Sequence, residues 1–247
     1  MENLVKRVAS DIIKAKKIIA LTGSGMSVES GIPTFRDPGG FWEKYNPEVY
    51  AHIDTFFSQP EKPWRMVKGF NRQVKAKPNP GHLALAEMEN MGFLKEIITQ
   101  NVDNLHQQAG SSVVIEFHGN LRRAVCLACG KYYAWEEISL KVLPPRCKCD
   151  GVLKPDAVFF GEPIPEEAFQ RAYGASRKCK LMLVIGTSAV VYPAANIPQI
   201  AKQAGAVVVE INPEPTPLTG FVSDYIIPGK AGTILPEIVN ELKRLIS

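Results

Sequence analysis

The sequence predicts an α/β fold, a doubly wound parallel Rossmann-like sheet with a second, smaller domain. Three observations make that prediction. The apolar runs are short and continuous rather than alternating, as in strands covered on both faces. Helix-spaced segments separate several of them, the order that builds a parallel sheet. Two stretches, one rich in aromatics and prolines and one rich in cysteine, break the alternation and read as insertions.

Leu4 to Ile13 repeats apolar residues at helical spacing, and Ile18 to Leu21 reads as a short buried strand running into Thr22-Gly23-Ser24-Gly25. The stretch from about Asp37 to Pro80 reads as irregular structure with short helices. His82 to Met91 is helix-like, and Glu96 to Thr99 and Val113 to Phe117 read as strands. After the cysteine-bearing stretch, about Arg122 to Pro155, come a helix at Glu166 to Ala175, a strand at Leu181 to Ile185 and a helix at Ala194 to Ala204. Strands at Ala206 to Ile211 and Tyr225 to Ile227 precede a closing amphipathic helix, Ile234 to Ile246. The expected division is therefore a Rossmann-like domain from residues 1–36, 81–121 and 156–247, and a small domain, helical plus cysteine-bearing, from 37–80 and 122–155. Ligands are expected at the carboxyl ends of the parallel strands.

With 247 residues, 45% hydrophobic and 22% charged, the chain can bury a full core. No apolar run approaches the roughly 20 residues of a membrane helix. Met1 to Lys17 lacks the apolar block and small-residue cleavage site of a secretory signal, so a cytoplasmic location is expected. The net charge of +4 hints at an anionic partner, but Lys and Arg are scattered. Direct nucleic-acid binding is not expected, and a monomer is the expected state.

Four of the five cysteines form two close pairs, Cys126-Leu127-Ala128-Cys129 and Cys147-Lys148-Cys149, whose span suits two zinc knuckles. Four thiolates leave no open position for water, so the zinc would be structural and would stabilise a polar insertion that lacks a core of its own. The second pair has one intervening residue rather than two, beside Pro144-Pro145 and Gly151. Two disulfides are disfavoured without a secretory signal, and a catalytic zinc is disfavoured because the insertion has no histidine. Cys179 stands alone and reads as a packed thiol.

Gly23-Ser24-Gly25-Met26-Ser27 follows a strand and precedes Val28-Glu29-Ser30-Gly31, where backbone N–H groups and a helix N-terminus can cradle a pyrophosphate. The usual dinucleotide fingerprint wants a third glycine where Val28 stands, and no strand with a ribose-binding acid follows, which argues against a hydride-transferring dehydrogenase. Gly-x-Gly alone fits a tight turn as well. His118 at a strand end is either a base or a hydrogen-bonded structural histidine. Gln100, Asn101 and Asp103 either converge on a ligand or form a polar turn, and Thr187 and Ser188 alone would read as helix caps.

Taken in order, Gly23-Ser24-Gly25-Met26-Ser27, Gly31-Ile32-Pro33-Thr34-Phe35-Arg36, Thr99-Gln100-Asn101-Val102-Asp103, Leu105-His106 and Phe117-His118-Gly119 resemble the motifs of the sirtuins. After the cysteines the resemblance continues through Lys154-Pro155, Val158-Phe159-Phe160-Gly161-Glu162, Gly186-Thr187-Ser188, Val191-Tyr192-Pro193-Ala194 and Ile211-Asn212. It covers nearly the whole chain and suggests a prokaryotic member. Ser24 stands where the family usually has alanine and is small enough to keep the phosphate approach open.

The resemblance implies NAD-dependent removal of acyl groups, acetyl first, from protein lysines. NAD is consumed: the acyl oxygen attacks C1′ of the nicotinamide ribose, nicotinamide leaves, and water finally releases the lysine and 2′-O-acyl-ADP-ribose. His118 would be the general base, titrating near neutral pH, with Asn101 beside it. Gly23, Ser24, Gly25, Ser27 and Val28 would contact the cofactor from the glycine loop. Phe35 would shield the reactive sugar face, and Arg36 would also touch the cofactor. Gln100, Asn101, Val102, Asp103 and His118 would contact the cofactor, Asn101 and Asp103 holding its ribose and nicotinamide amide. Gly186, Thr187, Ser188, Asn212, Glu214 and Ala231 would surround the adenosine end. Val158, Phe159, Phe160 and Gly161 would bind the acyl-lysine, pairing the peptide as an added strand. Cys126, Cys129, Cys147 and Cys149 would bind one structural zinc.

Relatives that prefer succinyl or malonyl groups carry a Tyr and, three residues on, an Arg in the helical insertion. Trp64 to Arg72 has no such tyrosine, so neutral acyl groups are expected, with Arg65 and Arg72 the residues to watch. Longer chains stay open, since depth depends on packing around Met66 and Phe70. Two rival readings remain: an ADP-ribosyltransferase of the same fold, and a nucleic-acid-binding zinc protein built on Arg122, Arg123, Lys131 and Arg146, although no basic-aromatic pattern repeats there.

Overall fold

The computed structural model describes residues 2–34, 40–73 and 76–247. Strands β1 (Ile18–Thr22), β2 (Leu94–Thr99) and β3 (Val114–Glu116) join β7 (Leu181–Ile185), β8 (Val207–Asn212) and β9 (Tyr225–Pro228) in one sheet of order β3-β2-β1-β7-β8-β9, every pair parallel. A second, antiparallel sheet of order β5-β4-β6 is formed by β4 (Gly119–Cys126), β5 (Tyr132–Ala134) and β6 (Leu153–Ala157).

The central strands are buried along their whole length, so their residues divide between two cores by the two-residue period of a strand. Ile18 and Ala20 of β1, with Leu181, Leu183 and Ile185 of β7, face α1 (Glu2–Ala15), α6 (Pro80–Asn90) and α10 (Ala231–Ile246). Ile19, Leu21, Met182 and Val184 face α8 (Glu166–Lys178) and α9 (Ile197–Gln203). Helices on both faces are what unbroken apolar strands require. Asn79 caps α6, its side chain accepting the N–H groups of Gly81 and His82, and Pro80 fills the first turn.

The aromatic stretch folds into α2 (Phe41–Lys44), α3 (Pro47–Tyr50), α4 (Ile53–Ser58) and α5 (Glu61–Gln73). It shares one apolar cluster with the antiparallel sheet: Phe41, Phe56, Trp64 and Phe70 pack with Leu121, Tyr133, Leu153 and Phe159. Trp64 is fully buried, donates Nε1–H to Leu153 O (2.8 Å) and stacks on Trp135 at 6.2 Å. A short helix, α7 (Leu105–Gln108), follows the β2 loop.

One local expectation changes. The glycine loop does not open an α-helix but a seven-residue 3-10 helix, Ser24–Ser30, closed by Gly31 in the left-handed region (φ 85°). The Gly23 and Gly25 N–H groups bond across to the β7 strand end, and Gly31 stops the helix after two turns.

Candidate active site

The sheet reverses its winding between β1 and β7, since β2 and β3 step to one edge and β8 and β9 to the other. A crevice at the carboxyl ends of those two strands is the expected ligand site. Gly23 donates its N–H to Ile185 O (3.0 Å) and Gly25 to Gly186 O (2.8 Å), so the two loops touch. A Cβ on Gly25 would lie 2.8 Å from Gly186 Cα, and one on Gly186, whose φ is +57°, would lie 2.4 Å from Met26 N. The glycines permit a backbone contact that side chains would prevent.

Above this contact lies a cavity of about 250 Å³ with two unlike walls. Gly23, Ser24, Gln100, Asn101, His118 and Thr187 form a polar side; Phe41, Trp42, Met66, Val67, Phe70 and Phe160 form much of the other. A small pocket beneath joins Ser24 and Asn101 to Ser27, Val102 and Asp103. Ser188, Val102, Val158, Phe159 and Gly161 also reach the main cavity.

The polar wall is tightly bonded. Asn101 is buried and donates its side-chain N–H groups to Gly23 O (2.9 Å) and Ser27 Oγ (3.2 Å). Those bonds hold the β1 and β2 loops together and leave its Oδ1 as an acceptor. Asp103 accepts from Ser27 Oγ (2.7 Å) and Leu105 N–H (2.9 Å), while burial pushes its carboxyl above the ordinary range. Gln100 donates to Thr187 Oγ1 (3.0 Å), linking the loops after β2 and β7. His118 Nδ1 lies 3.1 Å from Gln100 O. A carbonyl only accepts, so Nδ1 carries the proton and Nε2 keeps a lone pair in the neutral ring. Burial is the main influence on this imidazole and lowers its pKa from the usual 6.5, with the Gln100 bond opposing, so the neutral form prevails at pH 7.

In the antiparallel module the Sγ atoms of Cys126, Cys129, Cys147 and Cys149 all lie within 4.8 Å of one another. Cys126–Cys149 and Cys129–Cys147 are 3.6 Å apart, too far for disulfides and close to the edge of a tetrahedron with roughly 2.3 Å Zn–S bonds. The donor set and spacing fit zinc. A Cβ on Gly151 would come within 2.6 Å of Cys126 Sγ, so glycine is needed to close the second knuckle.

The Sir2 family model matches residues 23–193. The chain belongs to the Sir2 family. It is similar to two archaeal proteins from Pyrobaculum aerophilum, NAD-dependent protein deacylase 2 (48% identical, covering 96% of this chain and 95% of the relative) and NAD-dependent protein deacetylase 1 (46%, 97% and 95%). Among solved structures it is similar to a Sir2 homolog–NAD complex (43% identical, TM-score 0.91, covering 98% of this chain and 94% of that one). It is also similar to Sir2Af2 bound to a myristoylated histone peptide (39%, TM-score 0.83, 100% and 99%).

In this Sir2 family member the remaining expected residues lie at the same sheet edge but outside the cavity. Val28 is exposed on the outer side of the 3-10 helix, Asn212 ends β8 and bonds Glu214 O (3.0 Å), and Glu214 is exposed. Ala231 begins α10, where Gly232 N–H bonds Glu29 (2.7 Å). Phe35 and Arg36 lie outside the described residues.

The added-strand expectation narrows. Val158 spends its N–H on His118 O (3.0 Å), Phe159 on Glu162 Oε2 (3.0 Å) and Phe160 on Ala51 O (2.8 Å). Among the described residues, Val158 O and both main-chain groups of Gly161, its N–H and its carbonyl, remain open on this segment for an incoming main chain. Behind it, buried Lys154 donates to Ala157 O (2.8 Å) and lies 3.0 Å from Glu162. Sequence reasoning missed Trp42 and Leu121 as lining residues; neither sits in a strand-end motif, and only the packing of the aromatic insertion against β4 brings them to the site. Arg65 is exposed while its neighbours Met66 and Val67 turn to the cavity, so Arg65 itself does not reach the acyl side. The Arg72 side chain lies outside the description.

Proposed function

We propose that His118 is the general base, with Asn101 beside it, in an NAD-dependent protein-lysine deacylase that takes neutral acyl groups, acetyl first. The carrying observation is the tautomer of His118: with Nδ1–H given to Gln100 O, Nε2 is the basic nitrogen of a ring that lines the cavity between its polar and apolar walls. NAD supplies the electrophilic ribose carbon and the ribose hydroxyls through which a proton can pass to His118. The polar wall takes the cofactor: Gly23, Ser24, Gly25 and Gly186 admit its phosphates closely, and Gln100, Asn101, Asp103 and Thr187 offer groups to ribose and amide. Ser27, Val28 and Val102 border it, with Phe35 and Arg36 on the neighbouring loop. Ser188, Asn212, Glu214 and Ala231 serve the adenosine end.

The apolar wall takes the acyl-lysine. Val158, Phe159, Phe160 and Gly161 border its entry, and Met66, Val67 and Phe70 line its depth. Such a wall favours the uncharged acyl-lysine over the free ammonium, whose desolvation costs several kcal/mol or more. The four cysteines hold a structural zinc. The division into residues 1–36, 81–121 and 156–247 against 37–80 and 122–155 assigns each wall mainly to one domain. Among the described residues no helix is long and apolar enough to cross a membrane, and we place the protein in the cytoplasm, as a monomer.

Mass spectrometry after incubation with NAD and an acetyl-lysine peptide tests the reaction. Deacetylated peptide with equimolar 2′-O-acetyl-ADP-ribose is expected. ADP-ribose attached to the peptide or to the protein, without loss of acetyl, would transfer the assignment to ADP-ribosylation.

A further inference from the structure

Two imidazoles lie under the polar wall and have no part in the reaction as assigned. His82 sits in the first turn of α6 and His106 in α7; they are 0% and 1% exposed, with ring centroids 4.9 Å apart and planes tilted by 57°. Each has one nitrogen engaged and one buried with no partner: His82 Nε2 and His106 Nδ1. Burial holds both rings uncharged, pushing His82 down to about 4 and His106 well below its usual value, with the neighbouring ring a smaller influence on His106.

The engaged nitrogens identify what each orphan is. The Asn79 N–H points to His82 Nδ1 (3.4 Å), so Nδ1 accepts and the proton of neutral His82 sits on Nε2. Thr22 Oγ1 gives its hydrogen to Thr99 Oγ1 (2.9 Å), so the 2.9 Å contact between Thr22 Oγ1 and His106 Nε2 needs its proton from the histidine. Neutral His106 then has a bare Nδ1. One orphan is a donor and the other an acceptor, on adjacent rings, and leaving both unmade is costly in a dry interior.

We propose that His82 Nε2–H is joined to His106 Nδ1 through one buried water, and that the two histidines are positioning residues for Asn101. The linked chain runs from Asn79 N–H through His82 and His106 to Thr22 Oγ1 and Thr99 Oγ1. Thr99 Oγ1 in turn accepts the Asn101 N–H at 3.0 Å. Thr22 and Thr99 are in-register partners at the ends of β1 and β2, so the chain ties the cap of α6 to the strand ends that carry the glycine loop and Asn101. His118 stands outside it, bonded to Gln100 O. The catalytic consequence rests on the role assigned to Asn101 above; the linkage itself does not.

The test is nitrogen-15 imidazole NMR on the full-length protein at neutral pH without substrate, in the wild type and in His82→Phe. Both histidines are expected as Nε2–H tautomers, with His106 Nδ1 resonating as a hydrogen-bonded acceptor in the wild type and shifting when His82 is replaced. A proton on His106 Nδ1, or an Nδ1 resonance indifferent to His82→Phe, would overturn the linkage whatever the enzyme's activity. Kinetics read the positioning: His106→Leu should lower kcat by about tenfold or more, with little change in KM for NAD, and His106→Gln, which keeps a donor for Thr22, should recover most of it. Equal losses in the Gln and Leu variants would overturn the positioning role.

Discussion

The two walls of the cleft are built by different means. The polar wall is made of loops that follow parallel strands, and its bonds run largely to backbone: Gly23 to Ile185, Gly25 to Gly186, Asn101 to Gly23, His118 to Gln100. The apolar wall is made of side chains from α2, α5 and the segment after β6, packed in a cluster that also contains Cys126, Cys147 and Tyr133. The first is held by the sheet; the second shares its core with the cysteine site. On the proposed assignment, backbone geometry would fix the cofactor chemistry, and acyl selection would rest on packing shared with the cysteine module.

The largest effect expected is from breaking that dependence. Cys126→Ala, or zinc chelation, should melt the antiparallel module and abolish deacylation, since structural zinc contributes folding energy outright. Proteolysis should then cut within 122–155 while the parallel-sheet domain persists; a fully resistant, active protein without metal would dissolve the contrast between the walls. His118→Ala should lower kcat/KM about 10²- to 10⁴-fold with little change in Tm, the usual span for a lost general base. Gly186→Val attacks the polar wall through its backbone. The left-handed φ and the 2.4 Å approach to Met26 N predict about 1–3 kcal/mol of destabilisation by thermal melting, together with a raised KM for NAD. Phe70→Leu acts mainly on the apolar wall, although Phe70 also borders the small pocket at Asn101 and Asp103, and the ratio of kcat/KM for long-chain over acetyl peptide should rise by about tenfold, in keeping with pocket effects of a methylene or two.

The smallest effect is in pH. A lowered His118 pKa means its proton leaves below 6.5, so the basic form is already present at that pH and is lost only on further acidification. The acid limb of kcat/KM should therefore lie below pH 6.5; a limb above 7 would contradict the burial of this ring.

The polar wall was the more legible in sequence, for a physical reason. Strands β1, β2, β3 and β7 are short runs that end at Thr22, Thr99, Glu116 and Ile185, and the polar or glycine residues just beyond them must crowd one sheet edge. Gly23, Gln100, Asn101, His118 and Thr187 follow from that rule and do meet. The apolar wall obeys no such rule. Trp42 lies in α2 of the aromatic insertion and Leu121 in β4, and nothing in their spacing says that they face one cavity. The cysteine pairs were legible because ligand chemistry demands them together, whereas the need for Gly151 appears only when Cys126 Sγ is in place. The 3-10 form of the glycine loop was not legible either, because bonds to Ile185 and Gly186, more than 160 residues away, override local preference.

The most direct test of the account is nicotinamide release from NAD by the wild type and by His118→Ala, each with and without an acetyl-lysine peptide. The account predicts peptide-dependent release by the wild type, matched by acetyl-ADP-ribose, and its loss in the variant. Undiminished peptide-dependent deacetylation by His118→Ala would contradict it.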